Sequence, residues 1–115
     1  MKKFLIVPAL LLAFNVTAKN VEVDDLNIAG MTPQEVEKLV KDTPADKVTE
    51  KFYQLVSIVK KNPTEESCYA FFVFRKKGLR SQKLNIYEPD IMTAGYNAAK
   101  ACINTEAHKK RNSYN

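Results

Sequence analysis

Four of the five prolines in this chain stand where a helix can begin, and they divide everything beyond residue 31 into helical blocks. Proline fixes φ and lacks an N–H, so it fits the first turn of a helix, where that N–H would have no intrahelical partner. Thr32-Pro33-Gln34-Glu35 shows the pattern most fully. Thr32 can cap, and Glu35 can return a hydrogen bond to the capping residue's amide. The helix should run to about Asp42, with Val36, Leu39 and Val40 on one face. Thr43-Pro44-Ala45-Asp46 predicts a second start, Asn62-Pro63-Thr64-Glu65 a third, and Pro89 the last.

Hydrophobic periodicity fills in these blocks. Val48, Phe52, Leu55, Val56 and Val59 fall within one third of the circumference at helical spacing, with Lys47, Glu50, Gln54, Ser57 and Lys61 opposite. Asn62-Pro63 ends that helix near Lys61. In the last block Ile91, Gly95, Ala98 and Cys102 share a face, and Thr93, Asn97 and Lys100 point away. The block between them is ambiguous. Cys68-Tyr69-Ala70-Phe71-Phe72-Val73-Phe74 is apolar on every side, a composition that suits a buried strand. Glu65 and Glu66 before it, Arg75, Lys76 and Lys77 after it, and Gly78 beyond match the charge order of a helix. A helix is the favoured reading, with a β-hairpin around 68–87 as the rival. Leu79 to Glu88 reads as a polar connection, with a short extended piece at Leu84–Tyr87. The expected fold is therefore all-α, a small four-helix domain closed by one disulfide; the hairpin alternative would make it α+β.

The disulfide follows from the N-terminus. Met1-Lys2-Lys3, the apolar run Phe4 to Phe14, and Asn15-Val16-Thr17-Ala18 are the three parts of a secretory signal. The run is shorter than the roughly 20 apolar residues a membrane span needs. Residues 1–18 are expected to be a cleaved signal peptide, with an uncleaved anchor on the outer face of the inner membrane as the alternative. Export places the chain in the periplasm, an oxidising compartment, and its two cysteines, Cys68 and Cys102, allow one intramolecular pairing. Residues 19–31 are read as an extended lead-in, 32–104 as the disulfide-closed domain, and 105–115 as a basic flexible tail. Without residues 1–18, the chain carries 16 Lys and Arg against 13 Asp and Glu, so its net charge is modest. It is unevenly spread: residues 20–66 sum to −4 and residues 67–115 to +6.

Chemistry-bearing motifs are sparse. The single histidine, His108, lies in the basic tail, too little for a zinc site or a nucleophile–base pair. The three glycines are too scattered for a phosphate loop. The paired acids Asp24/Asp25 and Glu65/Glu66 are sequence neighbours, which on a helix do not face each other. No catalytic, metal or cofactor site is expected, and the chain reads as a non-enzyme. The aromatic cluster of Tyr69, Phe71, Phe72, Val73 and Phe74 exceeds what one amphipathic helix must bury. Most of it is read as the central helix of a small bundle, touched on all sides, and a partner surface is expected only at Phe74, rimmed by Arg75, Lys76, Lys77 and Arg80.

Phe52-Tyr53, Lys61-Asn62-Pro63, Cys68 and the element Met92-Thr93-Ala94-Gly95-Tyr96 resemble the periplasmic domain of the T-even phage lysis-inhibition antiholins. The resemblance implies a small helical protein that binds a holin's periplasmic domain and delays lysis by stoichiometric binding. More broadly, the sequence suggests a periplasmic inhibitor or regulator whose partner is a periplasmic protein or domain: a holin, a toxin (for an immunity protein) or a hydrolase. A disulfide-closed acid-stress chaperone of the HdeA type is one alternative, acting by loosening as its carboxylates are protonated. A protein on an anionic membrane surface or in the envelope is another, using the basic C-terminal half. Nucleic acid is not an expected partner.

Overall fold

A computed structural model describes residues 27–114, so the expected signal peptide and most of the lead-in lie outside the described residues. Helices α1 (Pro33–Asp42), α2 (Ala45–Lys61), α3 (Glu65–Arg80) and α4 (Pro89–Ala101) form the domain, followed by a short α5 (Glu106–Lys109). Short 3-10 turns at Asn27–Gly30 and Arg111–Ser113 flank them, and no strand occurs among the described residues. Cys68 and Cys102 are joined, with Cα atoms 5.9 Å apart. The all-α, disulfide-closed fold is therefore observed, and the hairpin alternative at 68–87 is not.

The helix starts show how local chemistry sets the boundaries. At α1 the expected reciprocal cap is present: Glu35 N–H donates to Thr32 Oγ1 at 3.2 Å and Thr32 N–H to Glu35 Oε1 at 2.9 Å. At α2 the residue before the helix is Pro44 itself, with no side-chain cap. Thr43, expected to open α2, instead closes α1, its hydroxyl donating to the Leu39 carbonyl at 2.7 Å. At α3 the cap lies two residues beyond Asn62. Ser67 N–H donates to Thr64 Oγ1 and Thr64 N–H to Ser67 Oγ, both at 3.0 Å. Asn62 serves the preceding helix, its N–H donating to the Ile58 carbonyl at 3.0 Å.

Helix α3 is central. It is apolar nearly all round because α1, α2, α4, α5 and the Asn27–Gly30 turn all pack against it. Phe71, Phe72 and Phe74 from α3 join Phe52 from α2 in one core with Val36, Val40, Val56 and Val59. Burying each phenylalanine contributes about 2–3 kcal/mol. Helix α3 passes through Gly78, which was expected to lie just past its end, and stops at Arg80. Leu84 folds back over that glycine, and the Lys83 and Leu84 N–H groups donate to its carbonyl at 3.0 and 3.1 Å. No strand forms at the expected extended piece: residues 84 and 85 are irregular and Ile86 and Tyr87 form a turn, closed by Glu88 N–H donating to the Asn85 carbonyl at 3.1 Å. Lys83 reaches the C-terminal end of α1, where its ammonium donates to the carbonyls of Val40, Lys41 and Thr43 at 3.2, 2.7 and 2.6 Å. A cation there complements the negative end of the helix.

Two expected segment boundaries are corrected. The described part of the 19–31 lead-in is a 3-10 turn that seats Ile28 fully in the core, and Tyr69 Oη–H donates to the Met31 carbonyl at 2.8 Å. The 105–115 segment, expected as a flexible tail, is folded as far as Tyr114. Thr105 caps α5 by accepting from His108 N–H at 3.1 Å. The Glu65 carboxylate accepts the free N–H groups of Glu106 and Ala107 at 3.0 and 3.1 Å. Ala107 is buried, and the Tyr114 ring meets Tyr69 edge-on at 5.2 Å. The disulfide, ending at Cys102, tethers this segment within reach of α3.

Candidate functional site

Helix α4 carries two apolar stripes. Ile91, Gly95 and Ala98 face the core, mainly against α2, and Cys102 follows at the C-cap. Met92, Tyr96 and Ala99 recur at i, i+4 and i+7 on an adjoining stripe, which points outward. Met92 is 53 % exposed and Tyr96 64 %, and Tyr87, just before the helix, is 74 % exposed. These side chains border an open cleft of roughly 280 Å³ with Ile86, Ile91 and, from α3, Arg75.

Arg75 is the polar group at this cleft. Its guanidinium carbon lies 5.3 Å from the Phe71 ring centroid and 5.8 Å from that of Phe72, so two core aromatics cover it from below. Among the described residues, none of the ion pairs and side-chain hydrogen bonds involves it. Burial, and secondarily the positive charge of Arg111, pull its pKa below the usual guanidinium value. Gly95 lies beside it: a Cβ there would make ordinary contacts with Arg75 Nη1 and Phe52 Cζ, each at 3.5 Å. Arg75 also borders a second cleft of roughly 120 Å³ with Phe72, Lys76, Leu79 and Arg111. Arg111 is engaged locally, donating to the His108 carbonyl at 2.7 Å. Lys76 is engaged too, donating to the Asn112 carbonyl at 3.5 Å.

The partner residues expected from the sequence separate in the structure. Phe74 is 1 % exposed and belongs to the core, so it offers no partner contact in this fold. Lys77 is 2 % exposed and donates from Nζ to Glu37 Oε1 at 3.2 Å, tying α3 to α1. Both face inward because α3 is covered on several sides, as expected for the central helix of a bundle, and that covering extends to these two positions as well. Arg80 is exposed at the end of α3, and Lys76 is half-buried beside the C-terminal turn. Arg75 alone of the five lines the larger cleft. Tyr87, Met92 and Tyr96 were absent from the expected surface. Their signal was an apolar stripe wider than core packing requires on the last helix.

Among the described residues no group of three or more His, Cys, Asp or Glu side chains could hold a metal ion, and no helix is long and apolar enough to cross a membrane. No family model matches the chain, and neither the curated proteins nor the solved structures contain a significant match.

Proposed function

We propose that this chain is a small periplasmic inhibitor or regulator that acts by stoichiometric binding of one protein partner, without turnover. The observation that carries the reading is the outward stripe of α4. Tyr87, Met92 and Tyr96 are large, contiguous and exposed around a cleft, and aromatic residues and methionine are the side chains enriched in protein interfaces. A rigid disulfide-closed helical scaffold presents them with little ordering cost on binding. The antiholin resemblance includes Met92 and Tyr96, which makes a holin's periplasmic domain the first partner to try.

The test is affinity capture of the oxidised protein from envelope extract, side by side with the Met92→Ser/Tyr96→Ser variant. The variant should fold normally, because both side chains are exposed. The proposal expects one partner near 1:1 with the parent chain and its loss with the variant. Equal capture by both proteins, or no stoichiometric partner, would overturn it.

A further inference from the structure

We infer that the α4 cleft takes a peptide segment of the partner that carries a carboxylate beside an apolar side chain, with Arg75 as the group that receives the carboxylate. The inference rests on the protein-binding reading above and deepens it. Three observations converge. The first is an uncompensated cation: Arg75 is half-buried, without an acid or carbonyl partner among the described residues, and its desolvation is large enough to lower its pKa. A desolvated charge without a counterion gains more from an incoming carboxylate than a solvated surface charge does. The planar fork of arginine, fixed here over the Phe71 and Phe72 rings, suits two-point binding of that group.

The second is the sign of the surroundings. Arg111 and Lys76 border the adjoining cleft that Arg75 shares, and Lys100 lies over the Tyr96 ring at 5.8 Å. The charge felt by Arg75 is that of Arg111, with no carboxylate acting on it, whereas Asp90 and Glu88 of the last helical block act on Tyr53, whose hydroxyl they help hold above its usual pKa after burial. The third is the character of the walls: Ile86, Tyr87, Ile91, Met92 and Tyr96 would enclose an aliphatic or aromatic side chain next to the anion. A bare anionic surface would satisfy the charge and leave these walls wet, so an acidic-apolar peptide fits better.

The experiment uses the full oxidised chain as bait for a random dodecamer peptide library, followed by fluorescence polarisation with the best-enriched peptide. Enriched peptides should share Asp or Glu next to Leu, Ile, Phe or Tyr. Replacing that acid by its amide should weaken binding ten- to hundredfold for the parent chain, as expected for a hydrogen-bonded charge. The same replacement should have almost no effect on an Arg75→Gln chain, whose melting curve verifies its fold. An equal loss with both chains, or enriched peptides without an acid, would overturn the inference. So would a Glu22→Gln/Asp24→Asn/Asp25→Asn chain that binds the peptide tenfold tighter, because the occupant would then be the chain's own acidic segment. A concentration-dependent dimer abolished by Arg75→Gln would assign the cleft to a second copy, and Arg75-dependent binding to anionic vesicles would assign it to lipid; either result overturns the peptide assignment. Loss of partner capture with Met92→Ser/Tyr96→Ser but not with Arg75→Gln would leave the binding face standing and remove only the anion receptor.

Discussion

Removing the Cys68–Cys102 bond should bring this domain close to the limit of folding. The bond closes a segment spanning 34 positions, from the first turn of α3 to the end of α4. In the chain-entropy description a loop of that length contributes about 4 kcal/mol by restricting the unfolded chain. A domain of roughly 90 residues has a total stability of about 5–13 kcal/mol, so the bond is a large part of it. At roughly 4–8 °C per kcal/mol for this size, the melting temperature should fall by about 15–30 °C. Both sulfurs are fully buried, so Cys68→Ala/Cys102→Ala also leaves a small void; the parent chain unfolded and refolded under reductant separates the two effects. Thermal unfolding followed by circular dichroism at 222 nm reads the shift. A fall of less than about 5 °C in both forms would refute the reasoning, because it would mean that the helical core alone stabilises the fold. The predicted size also links fold to compartment. In a reducing cytosol the chain would be marginal, and it would gain its full stability only where the bond forms.

Other perturbations test separate parts of the account. Gly78→Ala places a Cβ 3.0 Å from Leu84 Cβ, and overpacking of about 1–3 kcal/mol outweighs the ~1 kcal/mol gain in helix propensity. Gly95→Ala meets only ordinary contacts at 3.5 Å, so the helix gain of about 0.5–1 kcal/mol prevails; urea midpoints should move in opposite directions for the two variants. Glu65→Ala strips the acceptor from two N–H groups of α5, which should cost about 1–2 kcal/mol and speed amide exchange at Ala107 while leaving α1 and α2 protected. His108 should titrate below its ordinary 6.5 by NMR, because burial and Arg111 disfavour its charged form. Its contribution to stability is present above pH 6.5 and is lost as pH falls through the lowered value, and His108→Gln should flatten that part of the stability curve.

The sequence revealed the parts of this molecule that are governed by local chemistry. The capping box at Thr32 and the inward face of α2 from Val48 to Val59 emerge from short-range patterns, and the pairing of the two cysteines from their number together with the expected export. Where a residue had two possible employers, local rules chose wrongly. Thr43 and Asn62 each adjoin a proline that suggests a helix start, yet both close the helix before it. The C-terminal segment looked like solvated basic tail because its stabilising partners are remote in sequence: Glu65 and Tyr69 act from about 40 positions away. The site divided along the same line. Arg75 was legible as part of a basic cluster, but neighbouring positions of one helix point in different directions, and tertiary packing sent Phe74 and Lys77 inward. Tyr87, Met92 and Tyr96 needed the fold, because only the position of α4 against α2 decides which of its two apolar stripes is left uncovered.

The most direct test of the binding face is site-specific photocrosslinking in intact cells. Benzoylphenylalanine at Tyr96 would be compared with the same group at the exposed Lys38 on α1. The account predicts one discrete crosslinked species from position 96 and none from position 38. A species formed equally well from position 38, or from that position alone, would contradict it.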